Sequence, residues 1–210
     1  MDRLTEVAER CGGKALPLDV TDAGSVREFA AAIPEASILV NNAGLALGFE
    51  PLEKMSEEHL TRMWETNVLG LLRVTQSLLP KLEASGAGHV VNLNSTAGRE
   101  TYRGGGGYTA SKHALRAMTQ TLRLELLGRP VRVTEIAPGI VETEFSLVRF
   151  EGDADRAAGP YKGLTPLVAE DIADCIAWAV TRPPHVNVDE IVVRPAAQAT
   201  SAEVDRSGRL

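Results

Sequence analysis

Cysteine is nearly absent from this chain. Its two residues, Cys11 and Cys175, have neither redox-pair nor metal-ligand spacing. Disulfide scaffolds and thiolate metal centres are therefore excluded, and both residues read as small buried thiols of a reducing cytosol. The four histidines, His59, His89, His113 and His185, are scattered without ligand spacing, and no metal site is expected. Basic clusters are lacking as well. With 22 Lys and Arg against 28 Asp and Glu, the net charge is −6, and no nucleic-acid partner is expected because phosphate binding needs clustered cations. No apolar run approaches the roughly 20 residues that cross a bilayer. The opening Met1-Asp2-Arg3-Leu4 lacks the hydrophobic stretch of a signal peptide. These absences point to a cytoplasmic protein with no membrane partner.

What remains is an ordinary globular composition, 44% hydrophobic and 24% charged over 210 residues, enough for one domain with a sizeable core. Leu4, Val7, Ala8 and Cys11 follow helical spacing up to Gly12-Gly13. Ala15 to Val20 reads as a short strand, and Asp22 caps a helix to about Ile33. Ile38-Leu39-Val40 is a strand ending in Asn41-Asn42-Ala43-Gly44. Ser56 caps a long helix to the region of Leu82, with Glu57 and Glu58 at its positive end. His89 to Leu93 is a strand, Gly104 to Gly107 a flexible connection, and Tyr108 opens a helix to about Leu127. Val131 to Ile136 is a strand that Pro138-Gly139 terminates, and a polar, Gly-rich stretch covers Phe145 to Leu167. A helix over Ala169 to Val180 and a strand over Glu190 to Val193 complete the pattern. Alternating strands and helices predict an α/β fold around a mostly parallel sheet covered on both faces.

The sharpest chemical signal is Tyr108-Thr109-Ala110-Ser111-Lys112. Residues four apart on a helix share a face, and an ammonium near a phenol favours the phenolate, so the pair can exchange a proton with an alcohol or carbonyl. Ser95 lies just past the carboxyl end of a strand, where open α/β sheets bind ligands, and thirteen residues before Tyr108.

Asn41-Asn42-Ala43-Gly44, Asn67, Ser95, Tyr108-x-x-x-Lys112 and Pro138-Gly139-Ile140-Val141-Glu142-Thr143 stand in order and spacing that resemble the short-chain dehydrogenase/reductase family over essentially the whole chain. The resemblance implies a three-layer sandwich of Rossmann type. It implies Tyr108 as general acid/base, Lys112 as the residue that lowers its pKa and holds the cofactor ribose, and Ser95 as the group that orients the substrate oxygen. Asn67 resembles the residue that holds a water for proton relay. Asn41, Ala43 and Gly44 would line the adenosine ribose, Asp19 the adenine edge, and Pro138, Gly139, Val141 and Thr143 the nicotinamide.

Thr143 to Asp153, Asn42 to Gly48 and Pro184 to Asn187 are more particularly similar to NADP-dependent 3-hydroxy acid dehydrogenases acting on serine and allo-threonine. By that likeness the cofactor is NADP, or NAD in its place, the substrate is a small hydroxy acid or carbonyl compound, and Arg149 is a carboxylate binder, since guanidinium forks match carboxylates. Relatives form tetramers or dimers through two long helices, here about Ser56 to Leu82 and Tyr108 to Leu127, with Leu69, Leu71, Leu72, Leu115 and Met118 among their apolar residues.

Against the family pattern, the first strand, Gly-rich phosphate loop, first helix and second strand are not in this sequence. The single domain, residues 1–210, is expected to be incomplete at its N-terminus, with an unpaired edge beside Ile38 to Asn41 or with Ala15 to Val20 moved into the vacancy. Cofactor binding is the property this departure puts to the test. Two rival readings follow: a non-catalytic protein that keeps the site as a relic, and a 3-oxoacyl thioester reductase with the same four catalytic residues.

Overall fold

The computed structural model describes residues 2–209; Met1, part of the N-terminal segment read above, lies outside them. Four apolar runs form one parallel sheet in chain order: β1 (Ile38–Asn41), β2 (Gly88–Leu93), β3 (Val131–Pro138) and β4 (Glu190–Val193). The register sets Val40 beside Val91, Asn92 beside Glu135 and Ile136 beside Ile191. β2 and β3 are buried almost throughout, whereas β1 and β4 alternate. That contrast is the mark of central strands covered on both faces and edge strands covered on one.

The helices are α1 (Asp2–Cys11), α2 (Ala23–Ala31), α3 (Glu57–Trp64), α4 (Leu71–Ala84), α5 (Gly106–Glu125), α6 (Phe145–Arg149), α7 (Ala154–Ala158) and α8 (Ala169–Val180). Val26 of α2, Leu78 and Leu82 of α4, and Leu126 just past α5 close over Val90, Val131 and Val133 on one sheet face. Ile172, Cys175 and Ile176 of α8 cover Val91 and Ile136 on the other. The result is three layers of Rossmann type. Among the described residues no helix is long and apolar enough to cross a membrane.

Local chemistry explains the boundaries. The Asp22 carboxylate accepts from Gly24 N–H at the start of α2 (2.7 Å), and the Ser56 hydroxyl from His59 N–H at the start of α3 (3.3 Å). Arg132 of β3 donates to the carbonyls of Val180, Arg182 and Val186, closing the carboxyl end of α8.

Two expectations are corrected, and two open readings are resolved. Ala15 to Val20 forms no strand and does not move beside β1, which among the described residues pairs only with β2. The segment carries Pro17, which has no N–H to give a ladder, and Val20 instead packs against Gly70 and accepts from Arg73 (3.5 Å). The helix from Ser56 is not continuous: Glu65–Gly70 forms a π-helical stretch between α3 and α4. The Gly-rich stretch from Phe145 folds into α6 and α7, the latter capped by Asp153 accepting from Arg156 N–H (3.0 Å). Of the apolar residues named on the two long helices, Leu71 and Leu115 are buried in the chain and belong to its core, while Leu69, Leu72 and Met118 are half-buried.

Candidate active site

The carboxyl ends of β2 and β3 deliver the two loops of the site. Past Leu93 the chain turns through Thr96–Gly98, and the Ser95 hydroxyl closes that turn by accepting from Ala97 N–H (3.1 Å). It also reaches the Pro138 carbonyl at the end of β3 (3.4 Å). α5 runs beneath this turn and presents Tyr108 and Lys112 on one face, both buried. The approach is close: a Cβ on Gly98 would stand 2.8 Å from the Lys112 carbonyl.

The Ser95 hydroxyl and the Tyr108 phenol face each other closely enough for Ser95 to draw the phenol pKa down. Burial pushes that pKa well above its ordinary value; Ser95 and the Arg149 charge oppose the rise. The Lys112 ammonium lies 5.8 Å from the centre of the Tyr108 ring and donates to the Leu93 carbonyl (2.9 Å). Burial lowers its pKa to about 8, partly offset by the Glu135 carboxylate.

Asn67, in the π-helical stretch, is fully engaged. Its Oδ1 accepts from Leu45 N–H (2.8 Å), and its Nδ2 donates to the Leu45 carbonyl (2.8 Å) and Ser111 Oγ (2.9 Å). Gly44 is pinned beside both groups: a Cβ there would lie 3.3 Å from Asn67 Oδ1 and 3.6 Å from Lys112 Nζ.

Asn41 is buried and its side-chain amide donates to Thr75 Oγ1 and Asn92 Oδ1 (2.9 Å each). Asn92 in turn donates to Thr119 (2.9 Å), a polar thread linking β1, β2, α4 and α5. Asp19 and Ala43 lie apart from the Tyr108 centre, on the wall of an open cleft of about 760 Å³ that Thr21, Leu45, Arg62 and Thr66 also line. The Asp19 carboxyl is held below its usual range by hydrogen bonds from Thr21.

Pro138 to Thr143 leads from β3 toward α6. Gly139 lies against the Gln198 side chain, whose Oε1 occupies the space a Cβ would take. Val141 bridges to Leu167, and the Thr143 hydroxyl accepts from Phe145 N–H (3.2 Å). α6 then brings Phe145 edge-on to the Tyr108 ring (5.5 Å) and Arg149 over it (5.8 Å). Arg149 is gripped: Nε donates to the Gly48 carbonyl (3.1 Å), one terminal nitrogen to the Tyr102 hydroxyl (2.9 Å), and Phe49 lies 4.8 Å beneath the guanidinium. Its remaining nitrogen, Nη2, is buried without a partner.

The aromatic wall of Phe49, Tyr102 and Phe145 escaped the sequence reading. One signal could have found it, since the chain has only nine aromatic residues and four of them meet here.

The short chain dehydrogenase family model matches residues 1–153. The chain belongs to this family and is an oxidoreductase by membership. It is 40% identical over 205 residues to the NADP-dependent 3-hydroxy acid dehydrogenase YdfG of Salmonella typhi, covering 94% of this chain and 83% of that protein. It is 44% identical over 215 residues to sulfoacetaldehyde reductase 2 of Chromohalobacter salexigens, covering 98% and 85%. The closed form of a serine dehydrogenase complexed with NADP+ superposes with a TM-score of 0.92 at 39% identity, covering 96% of this chain and 84% of that one.

Proposed function

We propose that the chain catalyses reversible hydride transfer between NADP and the alcohol or carbonyl carbon of a small 3-hydroxy acid, of the class that includes serine and allo-threonine. NAD is the alternative cofactor. The observation that carries this reading is Arg149. A guanidinium fixed by Gly48 and Tyr102, with one buried nitrogen unpartnered and the Tyr108 ring 5.8 Å away, suits a carboxylate held a short distance from the reacting oxygen.

The residues present suit the dinucleotide as well. Ala43 walls the open cleft with only a methyl group, and Asp19 offers an exposed carboxylate to an adenine amine. Lys112 has committed one of its three protons, to Leu93, and can give others to ribose hydroxyls. When bound, the nicotinamide supplies or takes up the hydride. The protein's own groups handle the proton and the charge. Because burial favours its neutral form, Tyr108 serves the reductive direction as an acid, giving its proton to the substrate oxygen as negative charge develops there. Ser95 donates to the same oxygen, and Lys112 and Arg149 offset the charge left on the phenol. In oxidation the proton returns along the same path.

A second reading keeps the site and changes the anion. The 44% identical sulfoacetaldehyde reductase favours a short sulfonated aldehyde, whose sulfonate oxygens suit the same guanidinium. Assembly as a homotetramer or dimer finds support in the half-buried Leu69, Leu72 and Met118, and light scattering that shows a monomer would count against it.

The test is a substrate profile of the purified chain with NADP+ and NADPH, with and without Arg149→Ala. The variant is expected to raise KM for 3-hydroxy acids by roughly 10- to 100-fold, about one lost charge-assisted hydrogen bond, and to leave KM for neutral secondary alcohols unchanged. Equal KM values for hydroxy acids, or a preference for 3-oxoacyl thioesters, would overturn the reading. Absence of cofactor binding and of turnover would favour the non-catalytic one.

A further inference from the structure

The helix that brings Arg149 over the Tyr108 ring cannot hold itself in place. α6 is five residues long, far below the length at which a helix is stable alone. No side chain caps its start, and Leu147 and Val148 are exposed to solvent. Phe145 packs edge-on against Tyr108. The rest of its hold is polar and comes at two points.

The first is Arg149 itself. Its Nε donates to the Gly48 carbonyl, and Gly48 N–H donates back to the Arg149 carbonyl (3.1 Å each). The second is Ser146, which is 6% exposed. Its Oγ lies 2.7 Å from the Tyr161 hydroxyl. That hydroxyl also lies 3.3 Å from the Val141 carbonyl and 3.5 Å from the Thr143 carbonyl. A carbonyl can only accept, and a phenol has a single proton to give. Tyr161 therefore donates to the backbone at Val141 or Thr143 and accepts from Ser146. One oxygen joins α6 to the stretch assigned above to the nicotinamide.

Tyr161 is held in turn. It ends the short turn Gly159–Tyr161. One terminal nitrogen of Arg206 donates to the carbonyls on either side of it, Pro160 (3.2 Å) and Lys162 (2.6 Å). Just beyond, Gly208 N–H donates to the Gly163 carbonyl (3.2 Å). The last residues of the chain thus fix the phenol from outside.

We propose that Tyr161 is a positioning residue: its hydroxyl pins α6, through Ser146, to the Val141–Thr143 backbone and so sets where Arg149 stands over the Tyr108 ring. Its effect on substrate rests on the proposed role of Arg149 as anion binder. Its effect on α6 does not.

Amide exchange of the free protein, followed by NMR, reads the pin directly. Tyr161→Phe keeps the ring and removes the oxygen. Three N–H groups report on it: Val148 and Phe150, which donate to the Glu144 and Ser146 carbonyls, and Gly48, which donates to Arg149. Their exchange is expected to quicken by roughly 5-fold or more, the worth of one hydrogen bond, with rates in β2 and β3 unchanged. Ser146→Ala removes the same bond from the other side and should do the same, and the two changes together no more than either alone. In turnover, Tyr161→Phe should raise KM for 3-hydroxy acids by about 3- to 10-fold. It should leave kcat, and KM for neutral secondary alcohols, as they were, and add nothing once Arg149 is replaced by alanine.

A tyrosine that only supports the fold would quicken exchange throughout and move both classes of substrate together, and that result would overturn the proposal. So would unchanged exchange at the three amides, or faster exchange in α6 that leaves Gly48 untouched. An unchanged KM for hydroxy acids, in a protein whose Arg149→Ala variant raises it, would do so too. Should Tyr161→Phe fail to fold, Ser146→Ala decides by the same criteria. If Arg149→Ala leaves that KM unchanged, or the chain turns nothing over, the functional reading fails and the exchange rates alone decide this one.

Discussion

The side-chain amide of Asn67 grips the backbone of Leu45 from both sides, its oxygen taking the N–H and its nitrogen giving to the carbonyl, each at 2.8 Å. An amide side chain here does the work of a neighbouring strand, holding the loop after β1 against the π-helical stretch. Its second N–H, to Ser111, extends the hold to the first turns of α5, where Tyr108 sits. Asn67→Ala would leave the Leu45 groups unpaired in a buried place and is expected to destabilise the protein by about 2–3 kcal/mol. Urea unfolding of the variant measures this directly, and a change below half a kcal/mol would mean that water replaces the amide without loss.

Gly98 allows the Ser95 turn to rest on α5. Gly98→Ala places a methyl 2.7 Å from the Asn94 amide and 2.8 Å from the Lys112 carbonyl. A backbone atom cannot step aside as a side chain can, so the turn itself must lift. The expected cost is about 1–3 kcal/mol, together with a fall in kcat that thermal melts and steady-state assays would show side by side. Normal activity with normal stability would refute the tight contact.

His89 links stability to acidity. It is fully buried between strands, where burial first and the Arg132 charge second lower its pKa from 6.5 to about 4. Thr134 Oγ1 donates to the Val188 carbonyl and lies 2.7 Å from His89 Nε2, so the ring is a neutral donor there. The unfolded chain binds this proton more tightly, and stability must therefore fall as pH drops from about 6.5 toward 4, by about 3 kcal/mol for this residue. Unfolding free energies at pH 7.5 and 4.5 should differ by about 2–3 kcal/mol less in His89→Gln than in the native sequence. Equal differences would place the charge change elsewhere.

Tyr108→Phe removes the oxygen proposed above to transfer the proton and retains the ring that packs on Phe145 and beneath Arg149. Turnover is expected to drop by about 10²- to 10⁴-fold, with a melting temperature close to that of the parent. Retention of most of the rate would mean that another group moves the proton.

Much of this was legible in the sequence because it depends on local rules. The apolar runs that became β1 to β4, the caps Asp22 and Ser56, and the four-residue spacing of Tyr108 and Lys112 are all properties of short windows. Ala15 to Val20 looked like a strand for the same reason. What decided otherwise was the lack of any strand pairing with it, which no window contains. The direction of Asn41 was hidden in the same way, since Thr75 and Asn92 claim its amide from 34 and 51 residues away. Arg149 could be named as a carboxylate binder from its resemblance, but its setting of Phe49, Tyr102 and Gly48 is assembled from residues up to 101 positions distant.

The π-helical stretch at Glu65–Gly70 works as a phase shifter. Each residue of an α-helix turns the chain by about 100°, so the widened turn between α3 and α4 makes their apolar faces look in different directions. α4 faces the sheet through Val74, Leu78 and Leu82, while α3 sends Met63 against Gly107 in the first turn of α5. One rod thus serves two clients, the core and the helix that carries Tyr108 and Lys112. Deleting a single residue from the stretch would restore an even helix and lose that division of labour, swinging Met63 off Gly107 and shifting Asn67, which the stretch carries, from Leu45 and Ser111.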